Sequence, residues 1–383
     1  MREIDAIIES YEKAKNEGRK CVLATVVHVE GSSYRAAGAR MLVDEYGFMT
    51  GAISGGCLEG DALRKALLAL DQNKNKLVTY DTSDEDDAVI GAQLGCNGII
   101  QVLFEPVDPE QEENAVELLK KADDHQQPVA LVSIFNLDKT KPQPGTSVMI
   151  DQKGTQTGRT DQPDLSKKIR EVAYQALDRQ TSHFGEYHLP SEIYHAFIDI
   201  ITPPPTLVLV GAGNDAQVLS EMAGVLGWNI IVADGRPTHA NSKRFTSCQV
   251  VVTNPGEIME NINITEKTAF VLMTHNYMYD LEVLKLLLAR DEIPYIGILG
   301  PNKKHRRMLD DLAADGIQLT DEQSAKIHAP VGLQLGAETP AEIGLSILSE
   351  IQAVFTGSSV RHLRELSGSI HKKELYEFET IKL

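Results

Sequence analysis

Thr206-Leu207-Val208-Leu209-Val210-Gly211-Ala212-Gly213-Asn214-Asp215-Ala216 decides the fold of the second half of this 383-residue chain. The unbroken apolar run Leu207–Val210 predicts a short strand buried on both faces, as in parallel sheets. Gly211 permits a tight turn. Gly213 lets a phosphate approach the backbone, and Ala216 supplies the small residue needed where helix packs on strand. Val218, Leu219, Met222 and Val225 predict a helix over 215–226. Its N-terminal N–H groups and positive dipole end suit a phosphate. A second strand, 229–233, ends at Asp234, where a carboxylate would bind a ribose diol.

Downstream, strands are expected at 249–252, 269–273 and 295–299, and helices at 278–290 and 302–314. This alternation predicts an α/β, Rossmann-like domain with a doubly wound parallel sheet. Only about 15 residues, rich in Arg, Pro, Ser and Asn, join the second and third strands. A full crossover helix barely fits there, so the expected fold is an abbreviated one. Thr339-Pro340-Ala341-Glu342 signals a last helix, with Thr at the N-cap, Pro at N1 and Glu at N3. The tail from 357 to 383 is polar and of mixed charge, compatible with a helix, and carries no assigned chemistry.

Upstream, Pro203-Pro204-Pro205 cannot continue a helix or a central strand. We take 203–205 as a stiff linker between an N-terminal α+β domain (1–202) and the Rossmann-like domain (206–356). In the N-terminal half, helices are predicted at 3–17, 59–72, 109–122 and 166–180. Strands are predicted at 21–29, 40–43, 98–105 and 128–136, with short ones within 183–201. Residues 138–165 read as a hairpin plus loop.

Lys and Arg number 37 against 55 Asp and Glu, a net charge of −18. Such acidity disfavours nucleic acid and anionic lipid as partners. No apolar run reaches the ~20 residues of a membrane span. The start, Met1-Arg2-Glu3-Ile4-Asp5, shows no apolar signal region. Four cysteines make no disulfide framework, so a cytoplasmic location is expected. A homodimer is the base-rate assembly.

Three glycine-rich strings carry candidate chemistry in the first half. Gly31-Ser32-Ser33-Tyr34-Arg35-Ala36-Ala37-Gly38-Ala39-Arg40-Met41 offers two arginines as an anion clamp. Ser54-Gly55-Gly56-Cys57-Leu58-Glu59 puts a thiol just ahead of a helix, a position that favours the thiolate. Gly95-Cys96-Asn97-Gly98 places a second thiol in a turn. Cys21 and Cys248 lie in strand-like runs and read as small buried hydrophobes. Without Cys-x-x-Cys, a structural zinc site is not expected. The acidic run Asp81, Asp84, Glu85, Asp86, Asp87 reads as a solvated loop. Thr274-His275-Asn276 ends a parallel strand, where doubly wound folds bind ligands, so His275 is a site candidate. His328 is a weaker one.

These strings, in this order, resemble the xanthine dehydrogenase accessory factors, the XdhC/CoxI family. Gly211-Ala212-Gly213, Tyr295–Gly300, His328-Ala329-Pro330-Val331-Gly332 and Gly336–Pro340 add to the resemblance. It implies a cofactor chaperone rather than a catalyst. Family members bind molybdenum cofactor, help its terminal oxo ligand become sulfido with a cysteine desulfurase, and deliver it to a molybdenum hydroxylase. On this resemblance Cys57 and Cys96 are the sulfur-handling residues and soft metal ligands. Ser32, Ser33, Arg35, Arg40, Gly55, Gly56, Gly211, Gly213, Asn214, Asp234 and His275 are the cofactor-binding residues. The sequence departs from the family at Tyr34 (usually Pro), at Asn214-Asp215-Ala216 (usually His and a third Gly) and at Pro301-Asn302-Lys303-Lys304 (usually Ser and basic residues). Two other readings compete. One is an NAD(P)-dependent oxidoreductase using Gly211, Gly213 and Asp234. The other is a scaffold docking through its acidic surface.

Overall fold

The computed structural model describes residues 2–31, 33–81, 98–160, 162–190, 192–366 and 379–382. They form two compact units. The first comprises residues 3–203 and the stretch from 366, the second residue 2 and residues 204–365.

The first unit runs α1 (Glu3–Asn16), β1 (Cys21–Gly31), β2 (Arg40–Asp44), β3 (Met49–Gly51), α2 (Glu59–Gln72), β4 (Lys76–Asp81) and β5 (Gly98–Val107). It continues with α3 (Ala115–Asp123), β6 (Val129–Phe135), β7 (Gly145–Ile150), β8 (Gln156–Gly158), α4 (Pro163–Arg179), β9 (His183–His188) and β10 (Ile193–Ile201). One sheet is the antiparallel β3-β2-β1-β5-β4. In the other, β9-β10-β6-β7-β8 are antiparallel, and the far edge strand, Glu379–Lys382, adds parallel to β9. The tail therefore contributes a strand there, not a helix.

Alternation along β1 assigns its two faces. Val22, Ala24 and Val26 pack with Ala62, Ala66 and Ala69 of α2. Cys21 and Leu23 instead join Leu131 of β6, together with α1 and α3. On β6, Ala130, Val132 and Ile134 face Ile169 and Ala173 of α4. The two sheets thus stack between α2 and α4. Each fully buried Val or Leu here contributes about 1.5–3 kcal/mol.

Across that stack, Arg40 donates to the Asp199 carboxylate of β10 at 2.7 Å and to the Gly38 carbonyl. Arg40 is 4% exposed and Asp199 8%. The ring of His28 stacks on Phe184, 4.0 Å between centroids, with His195 against the same phenyl ring. Burial holds both imidazoles below the ordinary histidine pKa, against the pull of Glu30 and Glu186.

The second unit begins with β11 (Thr206–Val210), α5 (Asn214–Val225), β12 (Asn229–Asp234) and β13 (Gln249–Val252). Next come β14 (Thr268–Leu272), α6 (Tyr277–Leu288), β15 (Tyr295–Ile298) and α7 (Asn302–Ala314). It closes with α8 (Asp321–Ala325), β16 (Ile327–His328) and α9 (Pro340–Phe355). The sheet order is β13-β12-β11-β14-β15-β16, parallel throughout. This is the expected doubly wound arrangement. Residues 235–248 form turns and no helix, so the crossover between β12 and β13 is abbreviated. Leu207 and Leu209 face α5 and α9, while Val208 and Val210 face α6 and α7. The capping box Thr339–Glu342 and Pro340 open α9 as the sequence signals.

Arg40→Ala leaves Asp199 buried and uncompensated, so urea melts should show a loss of about 3–5 kcal/mol; a loss under about 1 kcal/mol would refute the buried pair. His28 has a depressed folded pKa, so its neutral form is favoured. The stability it contributes is full above the unfolded value of about 6.5 and falls as pH drops below it. The drop in melting point between pH 7.5 and 5.5 should therefore be smaller in His28→Phe than in the wild type. An identical pH dependence would contradict the assignment.

Candidate functional site

The glycine turn of the second unit is built by the C-terminal ends of β11, β12 and β14. Gly211 has φ +120°, and a Cβ there would lie 2.6 Å from the Met273 carbonyl oxygen and 2.8 Å from the Thr274 Cα. Only glycine lets β11 turn this close to the end of β14. Gly213 differs. Its φ is −70°, and an added Cβ would meet nothing within 4 Å. The space over the N-terminus of α5 is therefore open, and that end of the helix favours an anion.

Asp234 ends β12 at the position expected of a ribose-binding carboxylate, and it is 3% exposed. Its carboxylate accepts from the Ala212 amide (2.8 Å), the Arg236 amide (2.9 Å), and Arg236 Nε and Nη2 (2.9 and 2.7 Å). Burial alone would raise its pKa, but these donors outweigh it and leave the carboxyl below the usual range.

Two cations near the turn escaped the sequence reading. Arg244 Nη1 donates to the Ala212 carbonyl (2.8 Å), and Nη2 to the Asn214 side-chain oxygen (2.9 Å). Its segment, 235–248, has no periodicity to mark it. Lys304 donates to Asp280 Oδ2 (2.6 Å) and to the Leu299 carbonyl (2.9 Å). Asp280, fully buried, accepts in turn from the Thr274 hydroxyl at 2.6 Å. Only the basic pair Lys303-Lys304 after Gly300 hinted at it.

His275 adopts φ +58°. It is exposed and reaches Asp215 at 4.0 Å. Asn276 caps α6 through the Tyr279 amide. His328 stacks on Tyr295 and lies 3.4 Å from Glu350. Glu350 also accepts from the Tyr295 hydroxyl and the Gly332 amide. That loop is thus tied to α9.

In the first unit, Cys57 directly precedes Leu58, the N-cap of α2. The half-buried thiol donates to the Ser54 hydroxyl oxygen at 3.5 Å. Ser54 in turn donates to Glu59 at 2.5 Å, and its amide donates to the same carboxylate at 2.8 Å. Burial would raise the Glu59 pKa, but Ser54 and nearby amides leave it lowered. The backbone at Gly56 has φ +106° with open space around it. Gly55 leaves room for the Tyr34 ring, whose nearest atoms are 3.1 Å from where a Cβ would be.

The two clamp arginines are each engaged with a carboxylate, Arg35 with Glu3 and Arg40 with Asp199. The Ser33 hydroxyl donates to the Arg35 carbonyl at 2.7 Å. Cys96, Ser32 and the acidic residues 84–87 lie outside the described residues. Cys21 is buried, which pushes its thiol up to about 11. Cys248 is half-buried, with its pKa raised by burial. Among the described residues no cluster of three or more His, Cys, Asp or Glu could hold a metal ion, and no helix is long and apolar enough to cross a membrane.

Residues 207–351 match the XdhC Rossmann domain, and residues 14–81 the XdhC and CoxI family. A Bacillus subtilis relative, described as a probable xanthine dehydrogenase subunit, is 31% identical over 91% of this chain and 95% of its own. The Escherichia coli molybdenum cofactor insertion chaperone PaoD is 25% identical over 89% and 86%. A crystal structure described as a xanthine dehydrogenase from Bacillus halodurans superposes with a TM-score of 0.71 at 29% identity, covering 92% and 97%.

The contrast between the two glycines is testable. Gly211→Ala should lower the melting point markedly, since strain of about 1–3 kcal/mol adds to the clash with Met273. Gly213→Ala should leave it nearly unchanged. Equal effects would show that the turn is not packed as described.

Proposed function

We propose that this chain, which belongs to the XdhC and CoxI family, is an accessory protein that binds molybdenum cofactor as cargo for a molybdenum hydroxylase. The observation carrying the reading is the open space over Gly213 at the N-terminus of α5, with Arg244 fixed alongside on Asn214. A phosphate monoester fits that chemistry: backbone donors, a positive helix end and a guanidinium. The chaperone relative supports the same cargo.

In this reading the Gly213 and Asn214 amides hold the cargo's phosphate, and Arg244 balances its charge. His275 flanks the same turn from the end of β14. By the family resemblance, Cys57 of the first unit, half-exposed and backed by Ser54 and Glu59, is proposed as a sulfur-handling thiol and soft donor, with Cys96 as its proposed companion. The finer reading extends to exchange of the terminal oxo ligand for sulfido: a cysteine desulfurase's persulfide supplies the outer sulfur, a thiol reductant supplies the two electrons that take it to sulfide, and the oxo group leaves as water.

The alternative, an NAD(P)-dependent oxidoreductase, draws on the same turn. Against it stands the Asp234 carboxylate, which already accepts four hydrogen bonds from Arg236 and Ala212. A ribose diol would have to displace them.

Protein purified anaerobically from cells that synthesise the cofactor should carry pterin fluorescence and molybdenum in near equal amounts. Cys57→Ala should lose most of the molybdenum. Undiminished metal in that variant would remove the thiol from the reading. Saturable NADH binding with no pterin on the protein would favour the oxidoreductase.

A further inference from the structure

We propose that the Tyr34 ring is the platform on which the first unit stacks the pterin ring of the cargo. The proposal rests on the cargo reading above and concerns the first unit alone.

Tyr34 is 64% exposed. Among the described residues its hydroxyl makes no hydrogen bond and its ring meets no other ring. Shape holds it instead. A Cβ built on Gly55 would lie 3.1 Å from Tyr34 Cγ and Cδ1 and 3.2 Å from Cδ2. Near-equal distances to three adjacent ring atoms put that point over the face of the ring, not at its rim. The Gly55 backbone therefore closes one face and leaves the other to solvent. Gly55 has no positive φ that demands glycine. What its missing side chain serves is the approach of the ring, since 3.1 Å is inside the ~3.5–4.0 Å of ordinary carbon contacts.

The same loop supplies two further features. The space at Gly56 is open, and Cys57 follows with its half-buried thiol on the Ser54 hydroxyl. An open aromatic face thus stands two residues from a soft sulfur.

These features select the ligand. A free aromatic face takes a planar heteroaromatic ring, and such a stack needs no hydrogen bond from the phenol. A cation could compete for the face, but Arg35, the cation next in sequence, is held by Glu3. Tyr46 and Phe48 are also exposed. Gly47 between them meets Leu63 and neither ring, so that turn builds no comparable platform.

Fluorescence titration of the full chain with neopterin, which carries neither phosphate nor metal, tests the proposal. Saturable quenching of the pterin emission is expected. Tyr34→Ala should weaken binding about tenfold. Tyr34→Phe should keep it, because the ring and not the hydroxyl makes the stack, and Phe48→Ala should leave it unchanged. Unaltered affinity in Tyr34→Ala, an equal loss in Tyr34→Phe, or no saturation by about 1 mM neopterin would overturn the proposal. Adenosine competing as well as neopterin would also overturn it, by assigning the ring to nucleobases. The cofactor adduct on the wild-type protein is read separately. An adduct with neopterin affinity indifferent to Tyr34 removes the platform and leaves the cargo reading standing. Tyr34-dependent neopterin binding on a protein that carries no adduct supports the platform and removes the cargo.

Discussion

Burial of the central strands on both faces is the constraint from which the rest of this molecule follows. β1, β6 and β11 are each enclosed by apolar layers on either side. Polar side chains have little room on such strands, because an unpaired polar group there costs several kcal/mol. Ligand chemistry is therefore displaced to strand ends and the loops that follow. The glycine turn after β11, the strand end at Thr274, and the loop before α2 are such places.

Where a charge does enter the interior, it is paired. Arg40 meets Asp199, and Lys304 meets Asp280. These pairs set geometry as much as stability, since each joins elements distant in sequence. Asp234 belongs to the same group. It lies at the strand end expected of a ligand carboxylate, yet its bonds run to Arg236 and to the backbone of its own turn. Glu105 is held by hydrogen bonds from Thr146, with the positive charge of Arg40 acting on it as well.

The second unit was largely legible in the sequence because parallel strands appear as unbroken apolar runs and helix starts carry caps. Leu207–Val210, Asp234 as a strand end and the Thr339 capping box are all local signals. Short elements left none. β3 and β8 span three residues each and β16 two, too few for any period to register. α3 starts at Ala115 rather than near 109, because Asn114 caps it by accepting from the Val116 and Glu117 amides. In the candidate sites, residue types were readable but their partners were not. Glu3 lies 32 positions from Arg35, and Asp199 lies 159 from Arg40. Nothing local announces such pairings, and Arg244 sits in a stretch without pattern. The family resemblance rests on contiguous strings in loops and at the ends of strands and helices, which is why it could be read before the fold.

Native mass spectrometry under anaerobic conditions addresses the central claim most directly. Wild-type protein from cofactor-producing cells should carry a molybdopterin mass adduct. Gly213→Asp, which sets a like charge in the open space over α5 without touching the core, should keep its fold and lose the adduct. Equal occupancy in that variant, or a wild-type protein without adduct, would contradict the account.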